Sequence, residues 1–452
     1  MSRMIAPEEF LTSTLRQSPY GASVTRILSA AVEAVDPAAA VHRVVAFEDN
    51  TLRIANIPYQ SRATGQVIPL AVGKASVSMA EALFGILGDR LSTGLVITKH
   101  TPAISNFPFT ILEGGHPIPD AHSLEAGEKI MSLLSGLTAD DVVICLISGG
   151  GSALVCAPME GATLSDLQAL TSALLTCGAS IDEINTLRRH LDVLKGGGLA
   201  RLASPARVVS LIMSDVVGSP LEAIASGPTA PDPTTCADAL DVIQKYRLYR
   251  KIPASILAAL ESGRETLKPG DPILANVQNL VVGDNLQAAQ AALRQAELEG
   301  FLPYLLRTDL RGEARDAAVD LCRTLRWAWQ NGDPVPRPAC IVAGGETTVT
   351  LCSHPGRGGR NTELALAAVT ELANFPEVIL VTLATDGEDG PTDAAGAVVT
   401  GDTFRSAHRL GLDLADYLCR NDSYTFFATL DDLLQPGPTG TNVNDLTFLF
   451  AL

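Results

Sequence analysis

The stretch Val142-Val143-Ile144-Cys145-Leu146-Ile147-Ser148-Gly149-Gly150-Gly151-Ser152-Ala153-Leu154 decides the fold class. A short, wholly apolar run stops at three glycines bracketed by two serines. Such runs fit strands of a parallel sheet that are buried on both faces. Sheets of that kind place their ligands beyond the carboxyl ends of the strands. Glycines there let backbone N–H groups approach an anion, and the serines add hydroxyl donors. The loop predicts a small anionic ligand, phosphate first among them, and leaves the reaction open.

Comparable runs recur on both sides of it. Val67–Val72 leads into Gly73-Lys74-Ala75-Ser76 and a helical pattern, and Gly94–Thr98 ends at Lys99-His100. Ile111-Leu112 leads to Gly114-Gly115-His116-Pro117, and Val208–Met213 ends at Ser214-Asp215. Leu280–Val282, Cys340–Val342 and Val378–Leu383 end at Gly283-Asp284-Asn285, Ala343-Gly344-Gly345-Glu346 and Ala384-Thr385-Asp386-Gly387. Strands alternating with helices predict βαβ units and a mostly parallel sheet. The glycine- and proline-bearing segment 261–272 is the candidate linker, dividing the chain into domains 1–270 and 271–452.

The 452 residues suffice for two or three domains. An apolar share of 46% with 18% charged residues describes a well-cored chain. A net charge of −17 argues against nucleic acid or an anionic membrane as the main partner. The eight cysteines form no C-x-x-C pair, so neither a zinc site nor a disulfide framework is suggested. No apolar run is long enough to span a bilayer and the N-terminus has no leader pattern, so a cytoplasmic protein is expected.

Gly73-Lys74 fails as a P-loop, because Ile68 stands where the first glycine is required. A lysine opening a helix at a strand end still serves as a point charge for phosphate. Asp215 and the run Asp386-Gly387-Glu388-Asp389 close strands, where carboxylates cap helices, hold Mg²⁺ or accept a hydroxyl proton. Asn185–Gly198 reads as one helix with Asn185 near its N-cap and Lys195 in its last turn. Arg188 and Arg189 there are either exposed dipole partners or carboxylate ligands. Arg357 and Arg360, set among the glycines of 356–359 before a helix, form a candidate anion clamp.

Together these segments resemble the glycerate 2-kinase family, whose C-terminal part is the MOFRL domain. The matching stretches are 71–76, 114–117, 148–153, 185–198, 214–218, 226–229, 283–285, 344–347, 356–363, 385–393 and 437–445. Departures are Glu388, where an apolar residue is expected, and Thr362, where glutamine is. The resemblance implies ATP- and Mg²⁺-dependent phosphorylation of D-glycerate at its 2-hydroxyl, giving 2-phosphoglycerate. It further implies an α/β protein of two domains, Rossmann-like with a parallel sheet and then MOFRL, with the active site in the cleft between them.

Carried over, Lys74 is the catalytic lysine and Asp215 orients or deprotonates the hydroxyl. Arg357 or Arg360, with Arg360 favoured, stabilises the transferring phosphoryl group. The nucleotide falls to Ser148, Gly149, Gly150, Gly151, Ser152, Gly345, Glu346, Arg357, Asn361 and Asp386, and the metal to Asp284 and Asp389. Glycerate falls to His116, Arg188, Arg189 and Lys195, and the enzyme is a monomer or homodimer.

The rivals are an NAD(P)-dependent hydroxypyruvate reductase and a non-catalytic phosphosugar-binding module. The first lacks the third glycine of a dinucleotide loop after Gly149 and Gly151. The second has no need of Lys74, Asp215 and the arginines together.

Overall fold

A computed structural model describes residues 5–49, 51–59, 65–101 and 108–452. The chain forms two compact units: a middle unit, Pro37–Val282, and a terminal unit, Met1–Asp36 with Gly283–Leu452.

The middle unit opens with a small antiparallel sheet, β1 (Val45–Glu48), β2 (Thr51–Ile54) and β3 (Ile57–Tyr59). Its main strands are β4 (Val67–Val72), β5 (Leu95–Thr98), β6 (Thr110–Glu113), β7 (Val142–Ile147), β8 (Arg207–Met213) and β9 (Val277–Gly283). They stand in the order β6-β5-β4-β7-β8-β9. From β6 to β8 every pairing is parallel. This is the doubly wound order, and it reverses between β4 and β7, where such sheets open a ligand crevice. Every residue of β4, β5 and β7 is buried, as their unbroken apolar sequence requires. Ile68, Leu70, Ile97, Val143 and Ile147 form the core beneath the crevice.

The terminal unit holds β10 (Leu302–Leu310), β11 (Ala339–Gly345), β12 (Val378–Ala384), β13 (Gly396–Thr400), β14 (Leu433-Leu434) and β15 (Asp445–Ala451). Their order is β10-β11-β15-β12-β13-β14. Only β10 and β11 pair in parallel, and the other four pairings are antiparallel. The expectation of parallel βαβ units is therefore corrected here to a mixed sheet. β15 runs back between β11 and β12, placing its first residue, Asp445, opposite Gly345 and Ala384.

Two further expectations are corrected. The break does not fall at 270, because residues 5–36 fold with the C-terminal half. The helix Gly21–Glu33 packs on the helix Asn285–Leu298, Thr14 donates to Asp432 at 2.7 Å, and Thr441 donates to the Val35 carbonyl at 2.7 Å. The segment read as a linker is pinned instead inside the middle unit, where Leu267 is fully buried and its N–H donates to Gly196. The helix placed at 185–198 spans Ile181–His190, because Ser180 and Glu183 form a capping box that starts it earlier. Asn185 thus lies mid-helix, and Lys195 lies beyond its end.

Leu28 is fully buried on the helix that joins the two ends of the chain. Leu28→Ala should cost about 2–5 kcal/mol. Hydrogen exchange should show the loss as faster exchange in 283–452, with the strands β4, β7 and β8 unaffected.

Candidate active site

In the middle unit the loops after β4 and β7 meet at the reversal point. The Lys74 N–H donates to the Gly149 carbonyl at 2.9 Å, and the Ser148 N–H donates to the Val72 carbonyl at 2.9 Å. The Ser148 hydroxyl accepts from the Ala75 N–H at 3.0 Å. Ser148 is thus an internal brace rather than a free hydroxyl. Gly73 has a φ of 127° and lies so close to Ser148 that a Cβ would collide with it.

Three side chains, those of Lys74, His116 and Asp215, converge on the glycine loop. A Cβ on Gly149 would run into the Asp215 carboxylate, so that carboxylate lies against the bare α-carbon. A Cβ on Gly150 would stand 3.2 Å from His116 Cδ2 and 3.5 Å from Lys74 Cγ. Gly150 adopts φ 85°, which turns the chain into the short helix Gly151–Leu154. The N–H groups of Gly149, Gly150, Gly151 and Ser152 donate to no acceptor among the described residues. Successive free amides about a left-handed residue are an anion-binding concavity.

Lys74 is exposed at this crevice. His116 is half-buried, and burial, followed by the charges of Lys74 and Lys99, lowers its pKa. It is neutral at pH 7 and offers a hydrogen bond rather than a charge.

Of the cations assigned to the substrate carboxylate, two are structural. Arg189 is 5% exposed and ion-paired with Asp232 at 2.9 Å. Lys195 is held by Asp192 at 2.6 Å and the Val155 carbonyl at 3.1 Å. A buried cation needs such a counter-charge, and neither residue is left to bind a ligand. Arg188 differs. It is half-buried, its one hydrogen bond goes to Asn185 Oδ1 at 3.5 Å, and no carboxylate pairs with it among the described residues. Burial lowers its pKa with nothing offsetting it. A polar relay joins it to the loop: Asn185 Oδ1 accepts from Ser226 Oγ at 3.5 Å, and Ser226 Oγ lies 2.8 Å from Ser152 Oγ.

In the terminal unit the sheet's polar edge gathers around Arg360. Its guanidinium pairs with Glu346 and lies 3.3 Å from Asp445 Oδ2. Asp445 is missing from the sequence-derived site, although it ends a polar run before the last strand. Its buried Oδ2 makes no hydrogen bond among the described residues, and its pKa is pushed up to about 7, by burial first. Arg360 opposes that rise, while the charges of Asp389 and Glu346 add to it.

Asp389 is buried and accepts from the N–H groups of Asn361 and Thr362 and from the Thr362 hydroxyl, at 2.8–2.9 Å. It therefore caps the helix Arg360–Glu371, and both its oxygens are occupied; the expectation of Asp389 as a metal ligand is corrected. Asp284 likewise caps the helix Asn285–Leu298 through Gln287 N–H at 2.8 Å, which occupies one oxygen. Asn361 accordingly serves Asp389 rather than a nucleotide. Asp386 is half-buried, and its carboxylate accepts from Glu388 N–H at 3.1 Å. Gly345, at φ 147°, passes so close to Leu310 that no side chain fits.

The 356–359 segment is locked, with Gly356, Gly358 and Gly359 lying against Asp422, Ser423 and Asp389. Arg357 is exposed and stacks on Tyr424 at 4.1 Å, so of the two arginines only Arg360 faces the carboxylates.

Two family descriptions match the chain: a domain of unknown function (DUF4147) over residues 23–261, and the MOFRL family over 339–445. A Pyrococcus horikoshii protein named glycerate 2-kinase is 39% identical, over 93% of this chain and 95% of that protein. One from Agrobacterium vitis, 42% identical over 93% of this chain and 92% of its own length, carries the provisional name hydroxypyruvate reductase. The crystal structure of glycerate kinase from Thermotoga maritima superposes with a TM-score of 0.85 at 38% identity, covering 95% of this chain and 99% of that one. The chain belongs to the glycerate 2-kinase family.

Proposed function

We propose that this protein is a glycerate 2-kinase of the cytoplasm, transferring the γ-phosphoryl group of ATP to the 2-hydroxyl of D-glycerate. The observation that carries the reading is the convergence of Lys74, His116 and Asp215 on four free amides at the reversal point of the parallel sheet. Phosphoryl transfer asks for positioning and charge neutralisation rather than a covalent intermediate. A reductase would instead need a dinucleotide loop with its third glycine, and Ala153 and Leu154 follow Ser152 in its place.

In this reading Arg188 takes the glycerate carboxylate, for which a guanidinium fork is suited. Asp215 accepts the proton of the 2-hydroxyl as its oxygen attacks the γ-phosphorus, and ADP departs with the bridging oxygen. Lys74 and the amides of 149–152 bear the charge on the phosphoryl oxygens. His116, neutral, donates a hydrogen bond to substrate. In the terminal unit Arg360 would offer a cation to a phosphate, once it exchanges Glu346 or Asp445 for it.

The Mg²⁺ that such a reaction uses finds a fitting donor set in Glu346 and Asp445, an all-oxygen pair with one buried oxygen lacking a hydrogen bond. Asp389, with both oxygens occupied, would stay outside it. When bound, the ion would neutralise phosphate charge.

Lys74→Ala should lower kcat by at least about 100-fold with an unchanged Tm, because an exposed lysine supports no core. An ADP-release assay with glycerate, run beside NADH oxidation with hydroxypyruvate, checks both the residue and the reaction. Reductase activity without kinase activity overturns the reading.

Arg188→Ala should raise KM for glycerate with little change in KM for ATP. The loss of a hydrogen bond to a charged group is about 1.5–3 kcal/mol, so a ten- to hundred-fold rise is expected.

Asp445 predicts a pH dependence in metal-free protein. Between ~3.9, its unfolded value, and about 7, its folded one, the folded chain keeps a proton that the unfolded chain has released. Stability contributed at this site is therefore greatest at low pH and falls as pH rises through that window. Urea titrations of Asp445→Asn against wild type should show that slope flattened.

A further inference from the structure

We infer that the middle unit carries a divalent-cation site of the zinc class, formed by His190 Nε2, Cys236 Sγ and Glu265 Oε2. The three ligand atoms lie within 4.8 Å of one another. They come from the last residue of the helix Ile181–His190, the first of the helix Cys236–Lys245, and the segment that precedes β9. No motif spacing announces them, because the ligands are contributed by three separate elements.

The histidine supplies an independent observation. Its side chain is fully buried, and Nδ1 lies 2.9 Å from the Thr186 carbonyl. That contact places the proton on Nδ1 and leaves Nε2 with a lone pair, the arrangement by which metal-bound histidines are oriented. Nε2 makes no hydrogen bond among the described residues, yet it points at Glu265 Oε2 from 3.4 Å. The Lys268 ammonium offsets the Glu265 charge, but nothing among the described residues meets the Nε2 lone pair.

A proton would draw the pair to about 2.7–2.9 Å, the length of a charge-assisted bond. A separation of 3.4 Å is too long for that. It matches the ~3.3 Å edge of a tetrahedron whose ligands stand about 2.0–2.1 Å from zinc. The sulfur selects a soft or borderline metal over Mg²⁺ or Ca²⁺.

The surroundings allow entry. Glu265 is 40% exposed on its side chain, and the Lys268 ammonium now lies 2.8 Å from the same oxygen. Lys268 also holds Thr266 Oγ1 at 2.7 Å and the Thr234 carbonyl, so it has other partners when a metal takes Glu265. Asp232, whose Oδ2 stands 3.7 Å from His190 Nδ1, accepts from the Thr266 hydroxyl through that oxygen and holds Arg189 and Thr234 through the other, and so stays outside the ligand set. Binding would release the Cys236 thiol proton to solvent and leave a fourth position for water. The ion would fasten together the three elements, one of which bears Asn185 and Arg188.

The test uses the full chain, dialysed after exposure to zinc, with metal content read by mass spectrometry. Wild type should retain one zinc per chain and gain several degrees in Tm. Cobalt in its place should give a thiolate-to-metal charge-transfer band. Cys236→Ser should abolish that band, and both it and Glu265→Gln should weaken binding at least about tenfold with unchanged far-UV circular dichroism. Wild type that retains neither metal overturns the inference. So does a Cys236→Ser variant that binds as wild type does. Because the wild-type result alone decides the first point, a variant that fails to fold does not rescue the idea.

Discussion

Three hydrogen bonds that lock the turn after β4 to the turn after β7 are the constraint on which the middle unit's chemistry depends. Val72 accepts from Ser148, Gly149 accepts from Lys74, and the Ser148 hydroxyl accepts from Ala75. Each satisfies a backbone group that a parallel sheet would otherwise strand at its carboxyl edge. Because they occupy Ser148 and the Gly149 carbonyl, the amides of 149–152 are left facing outward as donors. The brace also fixes the start of the helix Ser76–Leu87, and with it the Lys74 backbone. Pre-set donors of this kind are what a transferring phosphoryl group needs, since they require no reorganisation as charge develops.

How much of this was legible in the sequence differs from element to element. β4, β7 and β8 were readable because strands buried on both faces can only be apolar, and the glycine loops marked their ends. The order β6-β5-β4-β7-β8 was not read, since pairing across the sheet leaves no local signal. The mixed sheet of the terminal unit was misread. β15 is as apolar as a parallel strand, and only its position between β11 and β12 reveals its direction. Residues 5–36 carry no mark that their helices belong with partners 273 to 418 positions away.

The site residues divide along the same line. Lys74, Asp215 and Arg360 are strand-end or helix-start residues, and such positions are visible as breaks in pattern. Asp445 was hidden because a carboxylate opening a strand resembles any loop residue until its neighbours are known. The capping-box signal at Ser180 and Glu183 was available and would have placed the helix of Arg188 correctly.

The distinction between Arg188, Arg189 and Lys195 shows why charge alone does not identify a binding residue. All three are basic residues of one segment, and all three lose water on folding. For Arg189 and Lys195 the chain supplies Asp232 and Asp192 as counter-charges, and removing either acid would leave a buried cation uncompensated. Arg188 loses hydration without receiving a carboxylate among the described residues, a cost they do not recover. A half-buried guanidinium kept without a counter-ion is a standing demand for an anion. A carboxylate would meet that demand, and the Asn185–Ser226–Ser152 relay connects the guanidinium to the loop that carries the free amides. In the proposed reading, selectivity for a small acid bearing both a carboxylate and a hydroxyl would rest on where the chain withholds its own acids, as much as on where it places its bases.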